Sequence, residues 1–122
     1  MIDPATNTSS YITNGATTIA PVNWLQWAWA VYHPHAGSSR SRFPVAPQLY
    51  DPDLLVPAHP RTIVVTSTAD PLRDEGASLA KALKSAGLLA AHIEAKGSHV
   101  FGPALDREAR ARVLSAWAAM IL

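Results

Sequence analysis

The feature that most constrains this fold is a strand–helix–strand pattern between residues 61 and 102. Residues 61–67 (RTIVVTS) are β-branched and apolar almost throughout, which is typical of a strand buried on both faces of a parallel sheet. A helical period follows, with Asp74 as a candidate N-cap and Gly87 at the end, and residues 88–95 form a second strand. A strand–helix–strand crossover is right-handed and makes the two strands parallel. The pattern therefore predicts an α/β fold.

One ionisable residue follows each predicted strand, Asp70 after the first and His99 after the second. The carboxyl ends of parallel strands meet at one edge of a sheet, where open α/β sheets place their sites. We therefore expect the two side chains to meet, so that the carboxylate orients the imidazole as in a Ser-His-Asp triad. Spacing alone leaves another interpretation open, since an aspartate before proline often makes a turn or a cap and a loop histidine usually faces solvent.

The two loops also resemble those of a known family. Residues 70–76 (DPLRDEG) and 96–102 (KGSHVFG) are similar to the acid and histidine loops of hormone-sensitive-lipase-like carboxylesterases, which have the α/β-hydrolase fold. The resemblance implies that Asp70 is the triad acid and His99 the base; Val100 stands where the family usually has glycine. It implies hydrolysis of short or medium acyl esters through an acyl-enzyme. It implies no metal or organic cofactor.

The resemblance covers nearly the whole chain, more weakly before the proline-rich segment that precedes the first strand. Residues 1–4 (MIDP) and 9–11 (SSY) stand where the family has a strand end and a Pro-Ser-Tyr-like segment. We therefore expect one partial α/β-hydrolase domain over residues 1–122, the C-terminal part of the fold with an incomplete sheet. Residues 1–60 would form a loop and a cap helix, and residues 61–122 the strand–helix–strand–helix end.

The cap helix is predicted over residues 24–32 (WLQWAWAVY), with Asn23 as its N-cap. It is apolar nearly all round, so we expect it to be buried between other elements. The resemblance implies that it lines an acyl pocket, which makes Trp24 and Trp27 candidate substrate-binding residues, and Phe101 of the histidine loop is a third. Plain core packing of the tryptophans is the alternative.

A serine esterase needs a nucleophile at a Gly-x-Ser-x-Gly turn upstream of the acid, and the chain has no such turn. The nearest imitation, residues 76–80 (GASLA) with Ser78, follows Asp70 and lies inside the predicted helix. Ser98 is adjacent to His99, where backbone geometry prevents the required contact. An oxyanion loop of the His-Gly-Gly type is also missing. We therefore expect the chain to be inactive alone.

Three interpretations of this partial content remain. The chain is a C-terminal fragment, which we favour because Met1 falls at an interior point of the family pattern; or it is the smaller half of a split esterase; or it is a non-catalytic interaction module. In each case the strand that faces the missing half would present an open apolar edge. We expect self-association through that edge, or binding of a complementing N-terminal half, and an ester substrate once the site is complete.

Composition excludes several other functions. Ten Lys and Arg against nine Asp and Glu give a net charge of +1, which does not favour nucleic acid or an anionic membrane. The absence of cysteine excludes disulfides and thiolate metal sites. No apolar run is long enough to cross a membrane, and the start does not resemble a secretion signal, so we expect a cytoplasmic protein. A metal site at His33, His35 and His59 is rejected, because Pro34 separates the first two and no acidic ligand accompanies them.

Overall fold

The computed structural model of the chain describes residues 8–16, 20–32, 59–99, 104 and 106–122. Its helices and strands, in chain order, are α1 (Ser9–Asn14), α2 (Val22–Tyr32), β1 (Thr62–Ala69), α3 (Arg73–Ser85), β2 (Leu89–Ser98) and α4 (Arg107–Ile121). The predicted strand–helix–strand order is confirmed. The segments 1–4 and 33–35 and the residues Val100 and Phe101 lie outside the described part of the chain. The division at residue 60 stays a prediction.

Strands β1 and β2 pair in parallel, as predicted from the crossover. Thr62 lies opposite Leu89, Val65 opposite Ile93 and Ala69 opposite Ser98. The second strand extends three residues beyond the predicted end at residue 95, because pairing with β1 continues to Ser98. Both strands therefore end at the same edge of the sheet.

One helix covers each face of the strand pair. On one face Val64 packs with Ala80 and Leu83 of α3, and all three side chains are buried. On the other face Ile93 and Ala95 pack with Ala109 of α4. The faces alternate along each strand because successive side chains point to opposite sides of a sheet. This burial on both faces explains the almost continuous apolar run of β1.

The ends of α3 confirm one prediction and correct another. Gly87 follows the helix with φ of 71°, the left-handed conformation that glycine adopts without a steric penalty. The predicted N-cap is wrong, because α3 begins at Arg73 and places Asp74 inside its first turn. The N–H groups that open the turn are satisfied from elsewhere: Leu72 donates to Asp70 Oδ1 at 2.8 Å, and Asp74 donates to Ser10 Oγ at 3.2 Å.

Helix α2 corrects two further expectations. It begins at Val22, with the carbonyl of Pro21 accepting the first helical bonds from Trp24 and Leu25, so Asn23 lies within the helix and is not its N-cap. Only one face of α2 is buried, where Leu25 is 3% and Trp29 8% exposed. Three apolar side chains on the nearly opposite face are more than half exposed, namely Trp24, Trp27 and Val31. The expectation of burial all round is wrong, because the cluster around Tyr11 and Leu25 covers a single side of the helix.

No helix in the described ranges is both long and apolar enough to cross a lipid bilayer.

Candidate active site

The side chains of Asp70 and His99 meet at the carboxyl edge of the strand pair. Asp70 is the residue after β1 and His99 the residue after β2. His99 Nδ1 lies 2.8 Å from Asp70 Oδ2, within hydrogen-bond distance. The Asp70 side chain is 12% exposed and that of His99 30% exposed, so the acid is the more shielded partner. The structure thus brings together the two residues that the sequence placed at neighbouring strand ends.

The Asp70 carboxylate uses its two oxygens for different partners. Oδ1 accepts the amide of Leu72 at 2.8 Å, which closes a turn two residues long at the start of α3. Oδ2 faces His99. Turn formation and histidine orientation, which appear as alternatives in the sequence, are therefore both present in the structure. The turn bond also restricts rotation of the carboxylate and so fixes the position of Oδ2.

A carboxylate on Nδ1 determines what the imidazole can do. A carboxylate only accepts, so the neutral imidazole carries its proton on Nδ1 and leaves Nε2 as a base. We assign this tautomer from the hydrogen-bond partner. Because His99 is partly exposed, a reacting group can approach it. The arrangement is able to move a proton at Nε2 while Asp70 stabilises the imidazolium that results.

Two contacts hold the strand end that leads to His99. The amide of Gly97 donates to Thr68 Oγ1 at 3.2 Å, and the amide of Lys96 donates to Asp106 Oδ2 at 2.7 Å. Asp106 also caps α4 by accepting the amide of Ala109 at 3.0 Å. The Ala109 and Lys96 amides hold the pKa of Asp106 below its ordinary value. The backbone that leads to His99 is therefore bound both to β1 and to the start of α4.

Helix α1 supplies contacts to the acid loop that sequence reasoning missed. Ser10 Oγ donates to the carbonyl of Pro71 at 2.6 Å, and the Ser10 amide donates to Asp74 Oδ2 at 2.8 Å. Asn14 Nδ2 donates to the carbonyl oxygens of Thr68 and Asp70, at 3.3 and 3.2 Å. The only signal in the sequence was the resemblance of residues 9–11 to a family segment, which assigned no role to them.

The pKa of Asp74 reflects the contacts of the acid loop. Partial burial alone would raise it, but the Ser10 amide and the Arg73 guanidinium together hold the pKa below the ordinary value of 3.8. Arg73 donates to Asp74 Oδ1 through Nε at 3.2 Å and through a terminal nitrogen at 3.1 Å. The Asp74 carboxylate is therefore stabilised in its ionised form, with one oxygen on Ser10 and the other on Arg73.

The candidate pocket residues are less defined. Trp24 and Trp27 lie on the exposed face of α2, while Leu25 on its buried face belongs to a cluster against which Leu72 of the acid loop packs. Phe101 lies outside the described residues. The assignment of these three residues to an acyl-binding surface stays a prediction.

The fold and the site together define an α/β protein with an acid–histidine pair at the carboxyl ends of parallel strands. Comparison with known families agrees. A family model described as alpha/beta hydrolase fold matches residues 1–102, which is most of the chain, and the protein belongs to this α/β-hydrolase family. The matched range includes α1, Asp70 and His99. The search of curated proteins finds no match.

Proposed function

We propose that this chain carries the acid and the base of a serine-type carboxylic ester hydrolase of the hormone-sensitive-lipase-like group, acting on short or medium acyl esters. The observation that carries the proposal is the 2.8 Å contact between His99 Nδ1 and Asp70 Oδ2 at the sheet edge. Membership of the α/β-hydrolase family supports a hydrolase. The loop sequences of residues 70–76 and 96–102 support the ester-hydrolysing group.

The reaction would proceed in two halves. His99 Nε2 takes the proton of a serine hydroxyl as the serine oxygen attacks the ester carbonyl, and then gives that proton to the departing alcohol. In the second half His99 takes a proton from water as the water oxygen attacks the acyl-enzyme, and then gives that proton to the serine oxygen as its bond to the acyl carbon breaks, which releases the carboxylic acid and the free serine. Asp70 stays ionised throughout and holds the Nδ1 proton.

The chain alone should not catalyse this reaction, because it supplies neither the serine nor the oxyanion donors. Ser78, the nearest sequence imitation of the nucleophile turn, is exposed in α3 and does not lie at the carboxyl edge where His99 stands. Ser98 directly precedes His99 on the same strand end. We propose that a separate stretch of polypeptide, bearing a strand–turn–helix with the nucleophile, completes the site.

The test joins this chain to the nucleophile-bearing part of an active family esterase and measures hydrolysis of p-nitrophenyl acetate. We expect turnover by the chimera, and a loss of about 10³-fold or more in kcat for His99→Ala and Asp70→Asn. The isolated chain and its Ser78→Ala variant should both stay at the background of free imidazole. A folded chimera that keeps its activity in the His99→Ala variant would refute the assigned roles.

A second candidate is an interaction module, which is supported by the strand edges. Within the described residues the sheet contains β1 and β2 only, so each strand has one edge without a strand partner. Such edges accept an added strand from another polypeptide. Hydrogen exchange at the β1 amides, with and without the nucleophile-bearing half, tests this function. Protection of β1 without gain of esterase activity would favour the module over the enzyme.

A further inference from the structure

We propose that Ser10 and Asn14 are positioning residues, through which α1 sets the Asp70 carboxylate against His99. The inference rests on the proposed function, since it assigns these residues to the same acid–histidine pair. Neither residue touches His99 in the described contacts. Both act on the backbone that carries Asp70.

Ser10 joins α1 to the turn between β1 and α3 and to the first turn of α3. It is fully buried, and its hydroxyl donates to the carbonyl of Pro71 while accepting the amide of Asp74. The Ser10 amide completes the contact by donating to Asp74 Oδ2. Ser10 thus satisfies a carbonyl in the turn and an amide three residues further on, in the first turn of α3.

Asn14, about one helical turn after Ser10 in α1, binds the backbone at the end of β1 and the start of the turn. It is 9% exposed, and its amide nitrogen donates to the carbonyl oxygens of Thr68 and Asp70. These two carbonyls bracket the end of β1. Residues 10 and 14 share one face of a helix, because side chains four positions apart are neighbours. Ser9 and Thr13, which point elsewhere, are exposed.

The two residues act on the turn between β1 and α3, which positions the Asp70 carboxylate. The Asp70 backbone makes local turn bonds at 3.2 Å to Ser67 and Arg73, and Asn14 adds a bond from outside the turn. Removing the two side chains leaves the turn with its local bonds and the Ser10 amide bond to Asp74, so the carboxylate can move away from Nδ1. An imidazole without a carboxylate on Nδ1 is no longer held in the Nδ1–H tautomer. Misplacing a catalytic group in this way lowers the reaction rate.

The experiment reads the tautomer of His99 directly. Nitrogen-15 spectra of the full chain in alkaline buffer distinguish a proton on Nδ1 from one on Nε2. We expect the Nδ1–H form in the wild type and a shift towards Nε2–H in Ser10→Ala and Asn14→Ala. The matched controls, Ser9→Ala and Thr13→Ala on the exposed face of α1, should keep the wild-type spectrum.

Asp70→Asn separates the inference from the proposed function. If Asp70→Asn shifts the tautomer while Ser10→Ala and Asn14→Ala do not, the positioning role is refuted and the pair stands. If wild-type His99 lacks the Nδ1–H form and Asp70→Asn changes nothing, the pair fails and the proposed function fails with it. A shift in all three variants but in neither control supports both.

Three precautions keep the outcome decisive. A variant that is partly unfolded is read from its folded population, identified by native amide signals of Val65 and Ile93, and Asn14→Ser provides a milder change at the same position. Magic-angle-spinning spectra give the same signal if the chain assembles.

In the chimeric esterase, Ser10→Ala and Asn14→Ala should lower kcat about tenfold or more with little change in KM, because the effect is on proton transfer and not on substrate binding.

Discussion

The hydroxyl oxygen of Thr68 lies 3.2 Å from the amide nitrogen of Gly97, so a side chain near the end of β1 holds the end of the neighbouring strand. The carbonyl of the same residue accepts Asn14 Nδ2 at 3.3 Å. Thr68 therefore connects α1, which holds the acid loop, with the backbone that leads to His99. Its position makes it the common point of the two halves of the candidate site.

Replacing Thr68 with valine should loosen the histidine side of the site. The change keeps the shape of the side chain but removes the acceptor for the Gly97 amide. We expect a loss of about 0.5 to 1 kcal/mol in the free energy of unfolding, since the bond is solvent-exposed. Urea denaturation and hydrogen exchange at Gly97 measure the effect. Thr13→Val, an exposed threonine of α1, is the matched control, and equal losses in both variants would contradict the role of this bond.

Gly76→Ala should destabilise the packing of α3 on β1. A Cβ atom at Gly76 would lie 2.6 Å from the Thr66 methyl group, too close for any real contact. We expect a loss of about 1 to 3 kcal/mol, despite the better helix propensity of alanine.

The double variant Gly76→Ala with Thr66→Ser tests the cause of that loss. Serine removes the methyl group and keeps the hydroxyl that lies 3.1 Å from His92 Nε2. Most of the lost stability should return in the double variant. Additive losses in a double-mutant cycle would show that the two residues do not clash.

Stability should fall as the pH drops below about 4. The pKa of Asp74 in the folded chain lies below its ordinary value of 3.8, so the folded state binds fewer protons than the unfolded state. The contribution is present above the unfolded value and is lost as the pH falls through the folded value. Asp106, whose pKa is also lowered, acts in the same direction. Urea denaturation across this acidic range should give a flatter profile for Asp74→Asn and the flattest for Asp74→Asn with Asp106→Asn; an unchanged slope would contradict both assignments.

The isolated chain should self-associate as its concentration rises. Besides the strand edges that have no strand partner among the described residues, α4 exposes an apolar stripe that is more than half accessible, formed by Leu114, Trp117 and Ile121. Apolar patches of this kind promote association. Sedimentation velocity should show larger species that diminish in Leu114→Gln with Trp117→Gln, but not in the surface control Lys84→Gln. A monodisperse monomer at every concentration would contradict this prediction.

Local patterns predicted β1, α3, β2 and the meeting of Asp70 with His99, because strand periodicity and the crossover rule act over short distances. The face of α2 could not be derived in the same way. Its apolar residues surround the helix, and only the tertiary contacts of Leu25 decide which side is covered. The contacts of Ser10 with Pro71 and Asp74 join residues 61 and 64 positions apart, a separation at which no periodicity operates. The start of α3 differs from the predicted cap at Asp74, because the helix begins at Arg73 and Ser10, 64 residues away, accepts the Asp74 amide.

The two oxygens of the Asp70 carboxylate have different partners, Leu72 and His99, so asparagine and alanine would have different effects at that position. Asparagine keeps an oxygen for the Leu72 amide, so the turn closes as before, but its amide group would present a donor to His99 and push the imidazole proton to the far nitrogen. Alanine would lose the turn and the histidine together. A single Asp-to-Asn substitution can therefore remove proton transfer and leave the acid loop folded. An intact acid loop is thus evidence of shared ancestry, and by itself it is not evidence of activity.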